Sequence, residues 1–164
     1  MPWNSSAPSG RNVPMNWPPT PLVIDANVCL YTLAPLPEHE QAKNLMASLL
    51  RYERPWYAPG LWRVEVLSGL RKIVAAHLMT RTEMGEAVSR FWEWPVQVLP
   101  EDRELLERAL RWSERIGHRV IYDSVYLALA DGMNAELWTA DRRLYQRARR
   151  AGADFVRLFP DDTP

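Results

Sequence analysis

The feature that most constrains the fold is an alternation of very short apolar runs with longer amphipathic stretches. The runs are Leu22-Val23-Ile24, Trp56-Tyr57-Ala58, Val96-Gln97-Val98-Leu99, Leu137-Trp138-Thr139 and Phe155-Val156-Arg157-Leu158. They are too short for helices and read as strands. Between them, apolar residues recur at helical spacing. Ala42, Leu45, Met46, Leu49 and Leu50 mark a helix over 38–52, and Val64, Leu67, Leu70 and Val74 one over 61–76. Further helices are expected over 26–33, from Thr80 to about Trp94, and over 101–116, 122–132 and 142–151. Thr80 with Glu83 forms a capping box, and Gly117 and Gly152 act as helix stops. Strands separated by helices pair in parallel, so the expected class is α/β, a three-layer parallel sheet with helices on both faces. Right-handed crossovers then bring the carboxyl ends of the strands to one edge, where open α/β sheets bind ligands.

The chain of 164 residues suffices for one domain with a real core. Residues 1–21 read as a tail, because Pro2, Pro8, Pro14, Pro18, Pro19 and Pro21 sit among Asn, Ser and Gly. The domain is expected over 22–159, with a short C-terminal tail over 160–164. No apolar run is long enough to span a membrane, and the first residues lack the apolar core of a secretory signal. The single cysteine, Cys29, has no internal partner and reads as a core residue in a reducing compartment, hence a cytoplasmic protein. Formal net charge is zero, which excludes gripping nucleic acid by bulk charge. All basic residues but Lys43 and Lys72 are arginine, a side chain suited to phosphate and carboxylate.

Four acids follow or adjoin the strands in otherwise apolar or neutral surroundings. Asp25 ends the first strand, Glu65 lies in the first turns of the helix after Trp56-Tyr57-Ala58, Asp123 opens the helix before Leu137, and Asp141 lies just past Thr139. Singly, each has a plain explanation: Asp25 and Asp141 as helix N-caps, Glu65 and Asp123 as first-turn acids. Jointly they converge on one sheet edge, and such a cluster suits Mg²⁺ or Mn²⁺, hard cations that take carboxylate and water oxygens. Ions held this way align water for attack on a phosphodiester. Asn27 and Thr139 stand beside these acids as neutral oxygen donors able to orient them. His39, His77 and His118 show no paired spacing for zinc and read as surface residues. There is no glycine-rich phosphate loop.

These segments resemble a PIN-domain ribonuclease, specifically a VapC-type toxin of a type II toxin–antitoxin pair. Val23-Ile24-Asp25-Ala26-Asn27-Val28 is similar to the opening motif, and Ala58-Pro59 through Arg71 to the second, with Glu65. Tyr122 through Ala130, with Asp123, and Thr139 through Leu144, with Asp141, are similar to the third and fourth. The resemblance covers about 22–159. It implies four or five parallel strands with helices on both sides, Mg²⁺- or Mn²⁺-dependent RNA cleavage, a homodimer, and inhibition by a cognate antitoxin. The RNA target, tRNA or rRNA, is not marked. The acid set is complete, but the proline-rich tail has no counterpart.

Two other functions compete. One is a PIN-like housekeeping nuclease without an antitoxin, against which the small size counts. The other is a non-catalytic PIN interaction module, against which the complete acid set counts. For a partner peptide, helical periodicity and the aromatic enrichment of interfaces point to a groove lined by Leu30, Leu45, Leu49, Trp62 and Trp92, although each also suits an ordinary core position.

Overall fold

A computed structural model describes residues 20–51 and 54–162. Five parallel strands, β1 (Leu22–Ile24), β2 (Trp56–Pro59), β3 (Val96–Leu99), β4 (Glu136–Thr139) and β5 (Val156–Leu158), stand in the order β3-β2-β1-β4-β5. The helices are α1 (Ala26–Leu33), α2 (His39–Arg51), α3 (Leu61–Ala75), α4 (Arg81–Trp92), α5 (Arg103–Arg115), α6 (Tyr122–Met133) and α7 (Arg142–Arg150). Right-handed crossovers place α1–α4 on one face of the sheet and α5–α7 on the other. The expected α/β architecture is therefore the one observed. Most of the expected proline-rich tail lies outside the described residues.

Local rules account for the element ends. Thr80 and Glu83 form the capping box, with Glu83 Oε2 accepting from Thr80 N at 2.7 Å and Thr80 Oγ1 from Glu83 N at 3.2 Å. Gly117 adopts φ +64°, which ends α5 in a left-handed turn that residues with a Cβ seldom adopt. Asp102 caps α5 by accepting from Leu105 N at 2.8 Å. The N-terminus of α3 is capped from a distance: Glu101 Oε1 accepts from Leu61 N at 2.8 Å. A Cβ at Gly60 would lie 2.6 Å from the Glu101 carboxylate, so the missing side chain makes room for this cap.

The strand core is closed on both faces. All of β1 is buried, as are Leu137, Trp138 and Thr139 of β4. Every residue of α6 from Ser124 to Ala130 is buried, and this helix packs on α5 and on β1, β2 and β4. At the amino ends of the strands, Glu136 holds Arg54 at 2.7 Å and Arg157 at 3.1 Å. Arg54 Nε donates to Thr20 O at 2.7 Å, and Pro21 O accepts from Glu136 N at 3.0 Å. Thr20 and Pro21, expected in the tail, are thus tied to the sheet. Pro160–Asp162, expected as a tail, turn back instead: Asp162 Oδ2 accepts from Leu158 N at 2.7 Å and Asp161 pairs with Arg142 at 2.8 Å. Among the described residues, no helix is long and apolar enough to cross a membrane.

Leu127 of α6 is completely buried. Leu127→Ala is expected to destabilise the protein by about 2–5 kcal/mol, the range for a leucine deleted from a packed core. The half-exposed Leu110 should tolerate alanine with a change under about 0.5 kcal/mol. Urea denaturation of the two variants checks the contrast.

Candidate metal centre

Strands β1 and β4 are neighbours, and the site is built at their carboxyl ends. Asp25 follows β1 directly, its backbone N donating to Trp138 O at 3.0 Å. Its side chain is almost enclosed, at 8% exposure. Thr139 Oγ1 donates to Asp25 Oδ2 at 2.6 Å and accepts from Asp141 N at 3.0 Å, so one hydroxyl links two of the acids. Asn27 Oδ1 accepts from Ala140 N at 2.8 Å and pins the turn that carries Asp141. Asn27 and Thr139 thus hydrogen-bond the segments that carry Asp25 and Asp141.

The other acids arrive from helix starts. Glu65 lies near the beginning of α3 and accepts a short hydrogen bond from the buried Tyr126 hydroxyl. Asp123 is in the first turn of α6, with His118 Nδ1 3.6 Å from its Oδ2. Asp141 is the N-cap of α7, its Oδ1 accepting from Arg143 N at 2.7 Å and Leu144 N at 3.0 Å. The capping explanations of Asp25 and Asp141 are thus realised, alongside their shared location.

Electrostatics shows that the acids sense one another. Burial pushes the Asp25 carboxyl up to about 7, against the Thr139 hydrogen bond and with help from the charges of Asp123 and Glu65. Burial also raises Glu65, opposed by Tyr126 and reinforced by Asp123. Asp123 is raised by burial, lowered by His118, raised by Asp141 and lowered by Arg147. Among the described residues, no three acid, histidine or cysteine side chains form a ready-made cage for one ion. Each carboxylate instead leans on its own neighbour, namely Thr139, Tyr126, His118 or the amides of α7. The donor set still fits Mg²⁺ or Mn²⁺, because Mg²⁺ keeps several waters and takes few protein carboxylates.

His118 corrects the expectation of a plain surface residue. Gly117 turns the chain after α5, His118 N bonds Ser113 O at 2.8 Å, and the imidazole is brought beside Asp123. The left-handed turn was legible in the sequence, but its aim was not. Tyr126 was equally hidden, because a tyrosine one turn after Asp123 on an apolar helix reads as core. The expected partner groove is also corrected. Leu45, Leu49 and Trp62 are buried, with Trp62 packed on Phe91 at 4.8 Å between ring centroids. Leu30 fills the space opposite Gly69, where a Cβ would lie 2.3 Å from its Cδ1. Of the five, only Trp92 is well exposed, at 56%, with the Arg63 guanidinium 5.3 Å from its ring. Cys29 is in the core as expected, where burial raises its thiol pKa.

The chain belongs to the PIN domain family, whose model matches residues 22–150. Its fold is similar to VapBC2 from Rickettsia felis, solved bound to a DNA fragment from their promoter. That match has 14% identity, covers 84% of this chain and 97% of that one, and has a TM-score of 0.58. It is similar too to PAE2754 from Pyrobaculum aerophilum, at 16% identity over 85% of this chain and 88% of that one, TM-score 0.55. A toxin–antitoxin complex from Klebsiella pneumoniae matches at 19% identity over 84% of this chain and 96% of that one, TM-score 0.55. At these identities the likeness is one of fold. No curated protein matches the chain.

The raised Asp25 carboxyl has a consequence for stability. Between its ordinary value of 3.8 and about 7, the folded protein holds a proton that the unfolded chain has lost. Metal-free stability should therefore fall as pH rises through that window and level off above it, by up to about 1.4 kcal/mol per pH unit from this group. Asp25→Asn should flatten that decline. Urea melts in EDTA at pH 5 and pH 7.5 read it, and an equal decline in the variant would assign the titration to other groups.

Proposed function

We propose that the chain is a metal-dependent endoribonuclease and the toxin of a toxin–antitoxin pair. The observation that carries the reading is the gathering of Asp25, Glu65, Asp123 and Asp141 around the β1–β4 crevice, with burial raising three of them. A cation relieves both the desolvation and the repulsion, which makes the acids a natural seat for Mg²⁺ or Mn²⁺. Such an ion supplies an activated water and offsets charge on the leaving oxygen of a phosphodiester.

The chain's own residues do the rest. Thr139 fixes the rotamer of Asp25, and Tyr126 fixes Glu65. The first amides of α7 hold Asp141 through Oδ1, which leaves Oδ2 without a protein partner among the described residues, for a ligand to use. His118 places its Nδ1 3.6 Å from Asp123 Oδ2. In hydrolysis, a water oxygen bonds to phosphorus as one ester P–O bond breaks, and the water's proton passes to a base or solvent. The toxin reading rests on family membership together with the fold likeness to toxin–antitoxin structures. It carries with it a cytoplasmic location, a cognate antitoxin, a homodimer, and tRNA or rRNA as substrate.

Purified protein should cleave tRNA or rRNA with Mg²⁺ or Mn²⁺ and lose that cleavage in EDTA; cleavage persisting in excess EDTA would overturn the mechanism. Asp123→Asn should lower cleavage by about a hundredfold or more, because even outer partners of metal ligands cost about 10–100-fold. Metal-free, this variant should be as stable as the wild type or more so, since repulsion is reduced. Its melting-temperature gain on adding Mn²⁺ should shrink. Equal gains in both proteins would remove Asp123 from the metal site.

A further inference from the structure

A chain of zero formal net charge whose candidate site is acidic needs a local cationic track before a polyanion can approach. Helix α7 offers one. It carries Arg142, Arg143, Arg147, Arg149 and Arg150. Arg142 is tied to Asp161 at 2.8 Å and Arg149 to Asp154 at 2.9 Å. Arg143 and Arg147 are exposed and form no ion pair among the described residues. One helical turn apart, they share a face.

That face borders the site. Arg143 and Arg147 line a cleft of about 190 Å³ together with His118, Asp123 and Asp141. Arg147 is close enough for its charge to act on Asp123. Helix electrostatics does not explain Arg143. It lies in the first turn of α7, at the positive end of the helix dipole, where a cation is unfavourable; the Asp141 carboxylate at the N-cap is bound to the helix amides and forms no ion pair with the Arg143 guanidinium. An unpaired arginine held there, opening onto a cleft with two carboxylates, has the character of a ligand contact.

We infer that Arg143 and Arg147 bind the phosphate backbone of single-stranded RNA, holding a phosphodiester in the cleft against Asp123 and Asp141. The inference rests on the ribonuclease reading and names its substrate-gripping surface. Guanidinium forks bond phosphate oxygens bidentately.

The test measures binding of fluorescein-labelled single-stranded RNA to the full chain by anisotropy, in EDTA, from 50 to 200 mM salt. Arg143→Gln combined with Arg147→Gln should raise Kd about tenfold or more. It should also reduce the slope of log K against log salt by about 1.4, two contacts at about 0.7 each for a single strand. Arg142→Gln with Arg149→Gln, which removes the same charge from the paired positions, should change Kd by less than about twofold. Arg143→Lys with Arg147→Lys keeps the charge, so its slope should stay near that of the wild type; it serves as the second variant should the glutamine pair fold poorly. Thermal melts with Mn²⁺ should show an undiminished metal response in every variant. An unchanged Kd and slope in the glutamine pair, equal losses from the paired positions, or no RNA binding by the wild type would overturn the inference. So would tighter binding of duplex DNA with the same losses. Cleavage is scored separately. Binding through these arginines without cleavage would sink the ribonuclease reading alone, whereas cleavage with intact binding in the glutamine pair would sink this inference alone.

Discussion

The neighbouring parallel strands β1 and β4 send their chains to opposite faces of the sheet, and the crevice opened by that divergence is what the site depends on. In the order β3-β2-β1-β4-β5, the chain leaves β1 towards β2 and leaves β4 towards β5. No crossover covers the gap between their carboxyl ends. Asp25 and Asp141 are the residues that each strand delivers there. The register that aligns Ile24 with Trp138 is closed by the Asp25 N to Trp138 O bond and the Thr139 to Asp25 side-chain bond. Because side chains alternate along a strand, slipping β1 by one residue would turn its side chains to the wrong faces. The same register buries Leu22, Val23 and Ile24, so core packing and site assembly are enforced together.

Burial and repulsion work against the site, and the surrounding structure answers each acid separately. Asp25, the most enclosed, is given a hydroxyl and an amide. Glu65 is given the Tyr126 hydroxyl, and Asp123 the edge of His118. Asp141 takes the first amides of α7, an N-cap bond that stabilises the helix as well as the carboxylate. These partners hold the acids apart as well as in place, which is why they share an edge without forming a closed cage. An arrangement of this kind can be stable without a cation and still gain from one.

What was legible in the sequence follows from locality. Each strand is a short apolar run, and each acid stands within a few residues of one, so period and position locate both. The capping box at Thr80 and the stops at Gly117 and Gly152 are likewise local. What was illegible depends on elements meeting across the fold. Glu101 sits in a charge-rich stretch and reads as solvated, yet it caps α3 from 40 residues away. His118 reaches Asp123 only because the turn at Gly117 points it there. Helical periodicity also cannot distinguish a stripe that faces a partner from one that faces the chain's own core. Leu45, Leu49 and Trp62 belong to the second kind: α2 packs on α1, and Trp62 of α3 packs on Phe91 of α4.

The same reasoning explains how a neutral chain accommodates strong local fields. At physiological salt, charges more than about 8 Å apart on the surface are largely screened, so net charge says little about what a ligand meets. The amino ends of the strands are neutralised internally, with Glu136 shared by Arg54 and Arg157. Arg142 and Arg149 are neutralised by Asp161 and Asp154. At the carboxyl edge Asp123, Asp141 and the unpaired Arg143 and Arg147 line one cleft together. Helix α7 sustains this arrangement. Its N-terminal amides hold the Asp141 carboxylate at the entrance, while its exposed face carries the arginines one turn apart. A mobile counter-ion would blur such a field, whereas side chains anchored on a packed helix keep it directed into the crevice. The sequence average of zero therefore conceals an edge where carboxylates and the unpaired Arg143 and Arg147 line a single cleft.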